Sequence, residues 1–260
     1  MNVLLVVGDQ DTYHEDDSEI VSSPIWVADI LRDEGLTGLF VVQARRAEIL
    51  REQRRHDVIQ ALRQHEVGLH GRDVHPVLPE VVEGLGWDQG VEALLSVEAR
   101  ELLIERIAAL ADYAHAHGVV MAMKAHALGC VSRPYQLVDL FEQIGSPAFR
   151  FCFDISHYEV QGLSLEQALY PLLALSAHTE VKASIGRAPD QEYMIPGEPN
   201  TQSDFRGQFS AMRALGYRGY IVPEMSVHVM RRPDYDPYAA LRLSHRALTD
   251  VLRDVGIEDS

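Results

Sequence analysis

The chain has 260 residues, of which 47% are hydrophobic and 24% are charged, proportions of a globular protein that exclude a mainly disordered chain. Its 23 basic against 39 acidic residues give a formal net charge of −16, so its surface repels phosphate backbones and no nucleic acid partner is expected. No apolar run reaches the roughly 18 residues of a membrane span, and no signal-peptide pattern opens the sequence. With only two cysteines, a disulfide framework is also excluded, and we expect a cytoplasmic protein without a membrane partner.

The first third of the chain alternates apolar runs with helical patterns. The apolar runs predict strands at residues 3–7, 39–42 and 67–70, because a strand buried on both faces lacks polar alternation. One helix is predicted from the cap signal at residues 22–24 to Gly35, and a second over residues 47–66.

The same alternation continues to the end of the chain. Strands are predicted at residues 119–123, 149–153, 178–183 and 220–222, and helices at residues 97–117, 135–145, 164–175, 205–215 and 241–255. Seven strand–helix units without a linker or a repeat predict an α/β fold, a single parallel (β/α) barrel of seven or eight strands over residues 1–260.

Two features of this prediction stay open. Residues 71–96 contain either an eighth strand near 77–82 or a long loop. A doubly wound open sheet is the alternative, but the first strand–helix turn lacks GxGxxG.

Ionisable residues follow six of the seven predicted strands. They are Asp9, Asp11 and His14; His70, Asp73 and His75; Lys124 and His126; Asp154 and His157; Glu180 and Lys182; and Glu224 and His228. The carboxyl ends of parallel barrel strands share one face, where such enzymes build their sites. A buried charge is costly unless it is paired or bound to metal, which favours a functional role for His70, Asp154 and Glu224. A helix cap or turn is the alternative for an isolated aspartate after a strand.

The first part of the chain, residues 1–96, resembles the polysaccharide deacetylase family. The resemblance lies in Gly38-Leu39-Phe40-Val41-Val42, in His65-Glu66-Val67-Gly68-Leu69-His70-Gly71 and in His75-Pro76. It implies that Asp9 or Asp11, together with His70 and His75, binds a divalent metal. In that family the metal activates water for amide hydrolysis.

The second part, residues 97–260, resembles the xylose isomerase-like barrel family of sugar isomerases and epimerases. The matching motifs are LADYAHAHGV at 110–119, FDISH at 153–157, PGE at 196–198 followed by Asp204-Phe205, and GYRGYIVPE at 216–224. The resemblance implies one divalent metal held by Glu, Asp, His and Glu from four strands. Asp154 and Glu224 carry over as ligands and His157 as a substrate-binding residue, whereas Lys124 and Glu180 stand where the family has Glu and His.

These two replacements change the expected chemistry. A protonated lysine cannot bind a metal, so we expect Lys124 to supply part of the metal's charge among Asp154, Glu180 and Glu224. A Zn, Mn or Fe ion would then lie toward the predicted ligands Asp9, Asp11, His70 and His75.

The predicted catalytic residues are Glu224, Glu180, Lys124 and Asp154, with Glu224 or Glu180 as the base and Lys124 stabilising the oxyanion. The predicted substrate-binding residues are His157, His126 and Arg187. Together these assignments predict a metal-dependent isomerase or epimerase that transfers a proton beside the carbonyl of a small, sugar-like, polyhydroxylated substrate. The alternatives are a deacetylase-like metal-dependent C–N hydrolase and a non-catalytic carbohydrate-binding barrel. The sequence leaves open whether the chain forms a homo-oligomer.

Overall fold

The strands that carry the fold run parallel in two adjoining sheets. The computed structural model describes residues 5–8, 28–29, 31–33, 38–43, 50–63, 65–70, 97–129 and 131–257. One sheet contains, in order, β1 (Leu5–Gly8), β2 (Gly38–Gln43) and β3 (Glu66–His70). The other contains β4 (Met121–Lys124), β5 (Phe149–Asp154), β6 (Ser176–Val181) and β9 (Ile221–Pro223), in that order. Strand β9 lies next to β1, so the strands follow one another around the fold in chain order, as barrel closure requires.

Helices alternate with these strands. They are α1 (His56–Leu62), α2 (Val97–Ala116), α3 (Pro134–Ile144), α4 (Ile155–Glu159), α5 (Leu165–Leu172), α6 (Phe205–Ala214), α7 (Val227–Met230) and α8 (Pro237–Asp254). A short 3₁₀ helix, Leu173–Leu175, extends α5. No helix in the part of the chain that the structure describes is long and apolar enough to cross a membrane.

The main core lies between the second sheet and the helices around it. In β5, Phe149, Phe151 and Phe153 are all buried in this core, while the residues between them and at the strand end point to the other face, because strand side chains alternate. Leucines of α3, α5 and α8 belong to the same core. Strand β5 is thus held by an apolar outer face and offers Cys152 and Asp154 to the inside of the barrel.

Two predicted elements differ from the observed ones. The helix predicted over residues 47–66 is interrupted after residue 52, because Arg54 adopts a left-handed conformation with φ of 54° before α1 begins at His56. Strand β6 ends at Val181, two residues before the predicted end, and the chain then enters an antiparallel hairpin of β7 (Ala183–Ile185) and β8 (Glu192–Met194). Three-residue strands are too short to show a hydrophobic period. The eighth strand considered near residues 77–82 lies outside the described residues.

Helix α8 begins four residues before the predicted start. The Asp236 side chain accepts hydrogen bonds from the backbone N–H groups of Tyr238 and Ala239, and Pro237 occupies the first helical position. Both features favour a helix start at this point, although Tyr238 itself is exposed. A cap signal therefore locates a helix start more accurately than the apolar period does.

Candidate active site

Four neighbouring strands direct ionisable side chains to one place at their carboxyl ends. Lys124 ends β4 and is paired with Cys152 of β5, while Asp154 of β5 is paired with Glu180 of β6. Residues paired across parallel strands, and residues two apart on one strand, share a face of the sheet. The backbone N–H of Glu224 continues the β6–β9 ladder by donating to Val181 at 2.9 Å. Local strand geometry therefore brings Lys124, Asp154, Glu180 and Glu224 together.

Two ammonium groups lie among the three carboxylates. The Lys124 Nζ lies 3.0 Å from Asp154 Oδ2 and 2.5 Å from Glu224 Oε2, and it also donates to Glu180 Oε2. The Lys182 Nζ lies 2.5 Å from Asp154 Oδ2 and also donates to Glu224 Oε2. The Lys182 and Asp154 side chains are only 2% and 0% exposed, so these charges are shielded from water and depend on one another. We call Lys124, Asp154, Glu180, Lys182 and Glu224 the ionic cluster.

Asp154 has two roles, one for each carboxylate oxygen. Its Oδ1 accepts hydrogen bonds from the backbone N–H of Ser156 at 3.0 Å and from the Ser156 hydroxyl at 2.6 Å, which caps helix α4. Its Oδ2 faces Lys124 and Lys182. The capping role and the buried ionic role, which the sequence presented as alternatives, are thus combined in one side chain.

Two histidines and a tyrosine, His126, His157 and Tyr193, lie beside the ionic cluster. The buried His157 Nε2 lies 3.1 Å from the Lys182 Nζ, and its Nδ1 lies 2.8 Å from the Tyr193 hydroxyl. The exposed His126 ring lies nearly perpendicular to the His157 ring, at an interplanar angle of 87° and with the ring centroids 4.7 Å apart. Burial and the charge on Lys182 hold the pKa of His157 well below its usual value, so this imidazole is neutral at pH 7 and can accept a hydrogen bond from the lysine.

The carboxylates outnumber the ammonium groups by one, and the excess determines where a proton resides. Burial alone would raise the pKa of each acid, but Lys182 and Lys124 hold the pKa of Asp154 well below its usual value, and Lys124 does the same for Glu180. Glu224 differs from the other two acids. Burial, together with repulsion from Glu180 and Asp154, outweighs the effect of the two lysines and raises the pKa of Glu224. Burial alone would lower the pKa of Lys124, but the three carboxylates outweigh burial and raise this pKa well above its usual value. Glu224 is therefore the carboxyl that takes up and releases a proton most readily.

The remaining predicted site residues either lie outside the described residues or are not part of the ionic cluster. Asp9, Asp11 and His75 lie outside the described residues, and His70 is the last residue of β3. The exposed Arg187 donates to the backbone carbonyl of Glu159 in α4, which places its guanidinium beside α4 rather than in the ionic cluster. The predicted metal ligands therefore remain a prediction.

Sequence reasoning passed over two residues that the structure places at the site. Lys182 was recognised as a polar residue near a strand end but was not assigned a role, and Tyr193 belongs to the hairpin that was not predicted. One signal for Lys182 was available, because it is two residues from Glu180 and so shares its face. No local pattern indicated Tyr193, which reaches His157 through the β7–β8 hairpin.

The side chains of this site do not fit a divalent metal as they stand. One group with suitable spacing is Asp154, His157 and Glu224, whose ligand atoms lie within 4.8 Å of one another. Lys182 Nζ contacts all three, and an ammonium and a metal ion cannot occupy the same position. The second group is Cys152, His178 and Glu180, but burial raises the pKa of the Cys152 thiol well above its usual value and only a thiolate binds metal well.

Comparison with known proteins identifies the fold. The family model for the xylose isomerase-like TIM barrel matches residues 43–249, and this chain belongs to that family. A search of curated proteins finds no match. The structure is similar to those of a D-allulose 3-epimerase from Methylomonas sp. (13% identity, TM-score 0.65, 98% of both chains) and a D-psicose 3-epimerase from Clostridium cellulolyticum H10 (13% identity, TM-score 0.64, 98% of this chain and 100% of that one). It is also similar to the IOLI protein with a bound zinc atom (13% identity, TM-score 0.65, 97% of this chain and 99% of that one).

The family assignment reaches into the part of the chain that resembles a deacetylase. The match begins at residue 43 and therefore includes His65 to Gly71, the longest string of the deacetylase resemblance. These comparisons give that resemblance no support, and one family model matches residues 43–96 together with the sequence that follows.

Proposed function

We propose that this chain is an isomerase or epimerase that transfers a proton beside the carbonyl group of a small polyhydroxylated substrate. The observation that carries the proposal is the ionic cluster, in which a carboxyl of raised pKa, Glu224, lies between two ammonium groups. Removal of such a proton requires a base and a group that stabilises the resulting oxyanion. The similarity to sugar epimerases over nearly the whole chain supports this reaction type and a single barrel over residues 1–260.

Each step of the reaction has a residue suited to it. Glu224 removes the proton from the carbon beside the carbonyl. The electron pair of the broken C–H bond forms a C=C bond, and the π electrons of the carbonyl move to its oxygen. Lys124, whose raised pKa keeps it charged, donates a hydrogen bond to that oxygen. Return of a proton to the same carbon from the opposite side gives an epimer. Return to the former carbonyl carbon gives an isomer, because the hydroxyl proton of the deprotonated carbon then moves to the former carbonyl oxygen and a new carbonyl forms. Glu180 lies across Lys124 from Glu224 and is the second carboxyl of the cluster. Because its pKa is lowered, it is ionised at rest, and it supplies the proton only after taking one up from solvent.

The proposal is tested by following solvent deuterium into candidate substrates. The purified protein would be incubated in D₂O with a panel of ketoses, with and without EDTA, and with N-acetylated sugars in parallel. We expect NMR to show deuterium entering the carbon beside the carbonyl of at least one ketose, with a rate that EDTA leaves unchanged. Acetate release without exchange would contradict the proposal and favour the deacetylase-like hydrolase. Exchange that EDTA abolishes and added metal restores would show that the reaction requires a metal.

The pH dependence of kcat/KM follows from the pKa of Glu224. A base must be ionised, so kcat/KM rises with pH as Glu224 loses its proton. Because the pKa of Glu224 is raised, we expect the acid limb of the profile to lie above the usual carboxyl value of about 4.3. The limb is measured from initial rates between pH 4 and 9, with the Glu180→Gln variant as control. A limb that is unchanged in Glu224→Gln would assign the ionisation to another group.

A non-catalytic carbohydrate-binding barrel is the second candidate, and one observation favours it. Both ammonium groups are already satisfied by carboxylates and an imidazole within the ionic cluster, as in a buried network that only stabilises the fold. A binding protein would take up a sugar, measured by calorimetry, without any exchange of deuterium. Exchange together with binding excludes this candidate.

A further inference from the structure

Lysine is rare in this chain, and both lysines are in the ionic cluster. The sequence contains 21 arginines but only two lysines, Lys124 and Lys182. Ion pairs elsewhere use arginine, as in Arg232 with Glu198 at 2.6 Å. Arginine presents a planar fork, whereas lysine presents a compact ammonium with three donors. The compact cation is thus found at only two positions in the sequence, and both are in the ionic cluster.

The surroundings of Lys182 resemble the coordination shell of a metal ion. Its three N–H donors have three acceptors: Asp154 Oδ2 at 2.5 Å, Glu224 Oε2, and His157 Nε2 at 3.1 Å. The Tyr193 ring lies on a further side, with its centroid 4.8 Å from the Nζ, where a cation is attracted to the ring face. Two carboxylate oxygens and one imidazole nitrogen are also a common ligand set for a divalent metal.

We infer that the Lys182 ammonium is the resident cation of a metal-type ligand set formed by Asp154, His157 and Glu224, and that this one side chain keeps divalent metal out of the site. The inference deepens the proposed function and rests on it for the role of the site, but not for the identity of the cation. It goes beyond the replacement expected from the sequence, in which Lys124 supplies part of the missing metal's charge and Lys182 has no role. Lys124 contacts the carboxylates of the ionic cluster from the β4 side, whereas Lys182 occupies the position among the three ligands.

Removing Lys182 should therefore create a metal site. We expect Lys182→Ala to bind about one Zn²⁺ per chain more than the wild-type protein, since three protein ligands and a water complete tetrahedral zinc. Bound zinc is measured by elemental analysis after dialysis against buffered Zn²⁺. Lys124→Ala is the matched control: it removes the same charge from the same cluster but leaves Lys182 in place, and it should bind no more zinc than the wild type.

A second substitution locates the new site. Lys182→Ala combined with Asp154→Asn should lose the added zinc, because an amide is a much poorer ligand than a carboxylate. If Lys182→Ala binds no more zinc than the wild type, or if the added zinc persists in the double variant, the inference is wrong. None of these measurements depends on activity, so they stand apart from the test of the proposed function.

The wild-type protein provides an independent test that does not rely on folding of a variant. With lysine labelled by ¹⁵N at Nζ, the chain gives two ammonium resonances, and Lys124→Ala, which keeps one of them, assigns Lys182. We expect the Lys182 resonance to remain in place and sharp after an equimolar addition of Mn²⁺, a paramagnetic ion that broadens nearby signals. Loss of the Lys182 resonance together with that of Lys124, which contacts the same Asp154 and Glu224 oxygens, would show that metal enters the ionic cluster and would overturn the inference.

Discussion

Replacing Glu224 by glutamine should lower kcat by about 10²- to 10⁴-fold, the usual contribution of a general base. The amide has nearly the same shape and can accept hydrogen bonds from Lys124 and Lys182, which contact Glu224 in the native cluster, but it cannot accept a proton from carbon. The loss is measured as the rate of deuterium exchange and of product formation on the same substrate. Thermal unfolding of the variant verifies that the fold persists.

Glu180→Gln is the matched control for this substitution. Glu180 also contacts Lys124, but Lys124 holds the pKa of Glu180 below its usual value, which makes this carboxylate a weaker base than Glu224. We expect Glu180→Gln to retain more deuterium exchange than Glu224→Gln. The reverse order would assign the base to Glu180, a choice that the sequence left open.

Replacing Lys182 by methionine should destabilise the protein by about 3–5 kcal/mol at neutral pH, as expected when one partner of a buried ion pair is lost. Methionine keeps the volume of the side chain but leaves Asp154, which is fully buried, with one cation fewer. The free energy of unfolding is measured in urea. Arg253→Met, which removes an exposed ion pair with Asp250, is the control and should change the stability little.

The loss of stability should depend on pH in a defined direction. Lys182 and Lys124 depress the pKa of Asp154 in the folded state, so its ionisation contributes stability above the unfolded pKa of about 3.9, and this stability is lost as the pH falls through the folded pKa. Without Lys182, Lys124 is the one lysine that still opposes the effect of burial on Asp154, so the folded pKa of Asp154 rises from its native value. The difference between the wild type and the variant is therefore largest at neutral pH and shrinks as the pH falls through the pKa that Asp154 has in the variant. A difference independent of pH would show that packing, not charge, causes the loss.

A double variant tests the charge interaction between Asp154 and Lys182 separately from the packing around them. Asp154→Asn keeps an oxygen that can cap α4 in place of Oδ1 and removes the negative charge. Combined with Lys182→Met, it should recover part of the stability lost in the single variant, since no unpaired charge from this pair remains buried. Equal stability of the single and double variants would contradict a charge interaction between Asp154 and Lys182.

The periodic patterns of the chain predicted most of the architecture. The alternation of apolar runs and amphipathic helices indicated the parallel strands and helices α2 to α8 except two short ones, α4 and α7. Those two have five and four residues, less than the length at which a helical period can be recognised. The interruption at Arg54 went unpredicted because it depends on a single backbone conformation, to which apolar spacing is insensitive.

The sequence by itself determined which strand ends carry charge, because ionisable residues follow six of its seven apolar runs. It also identified Lys124 as a departure from the family's metal ligands. Only the tertiary structure decided how those charges are paired. The register of β4, β5, β6 and β9 brings residues 100 positions apart, Lys124 and Glu224, to within 2.5 Å, and the turn after β6 places Lys182 among Asp154, His157 and Glu224. Local patterns report what lies next to a residue along the chain, whereas the protonation of a buried group depends on the charges that surround it in space.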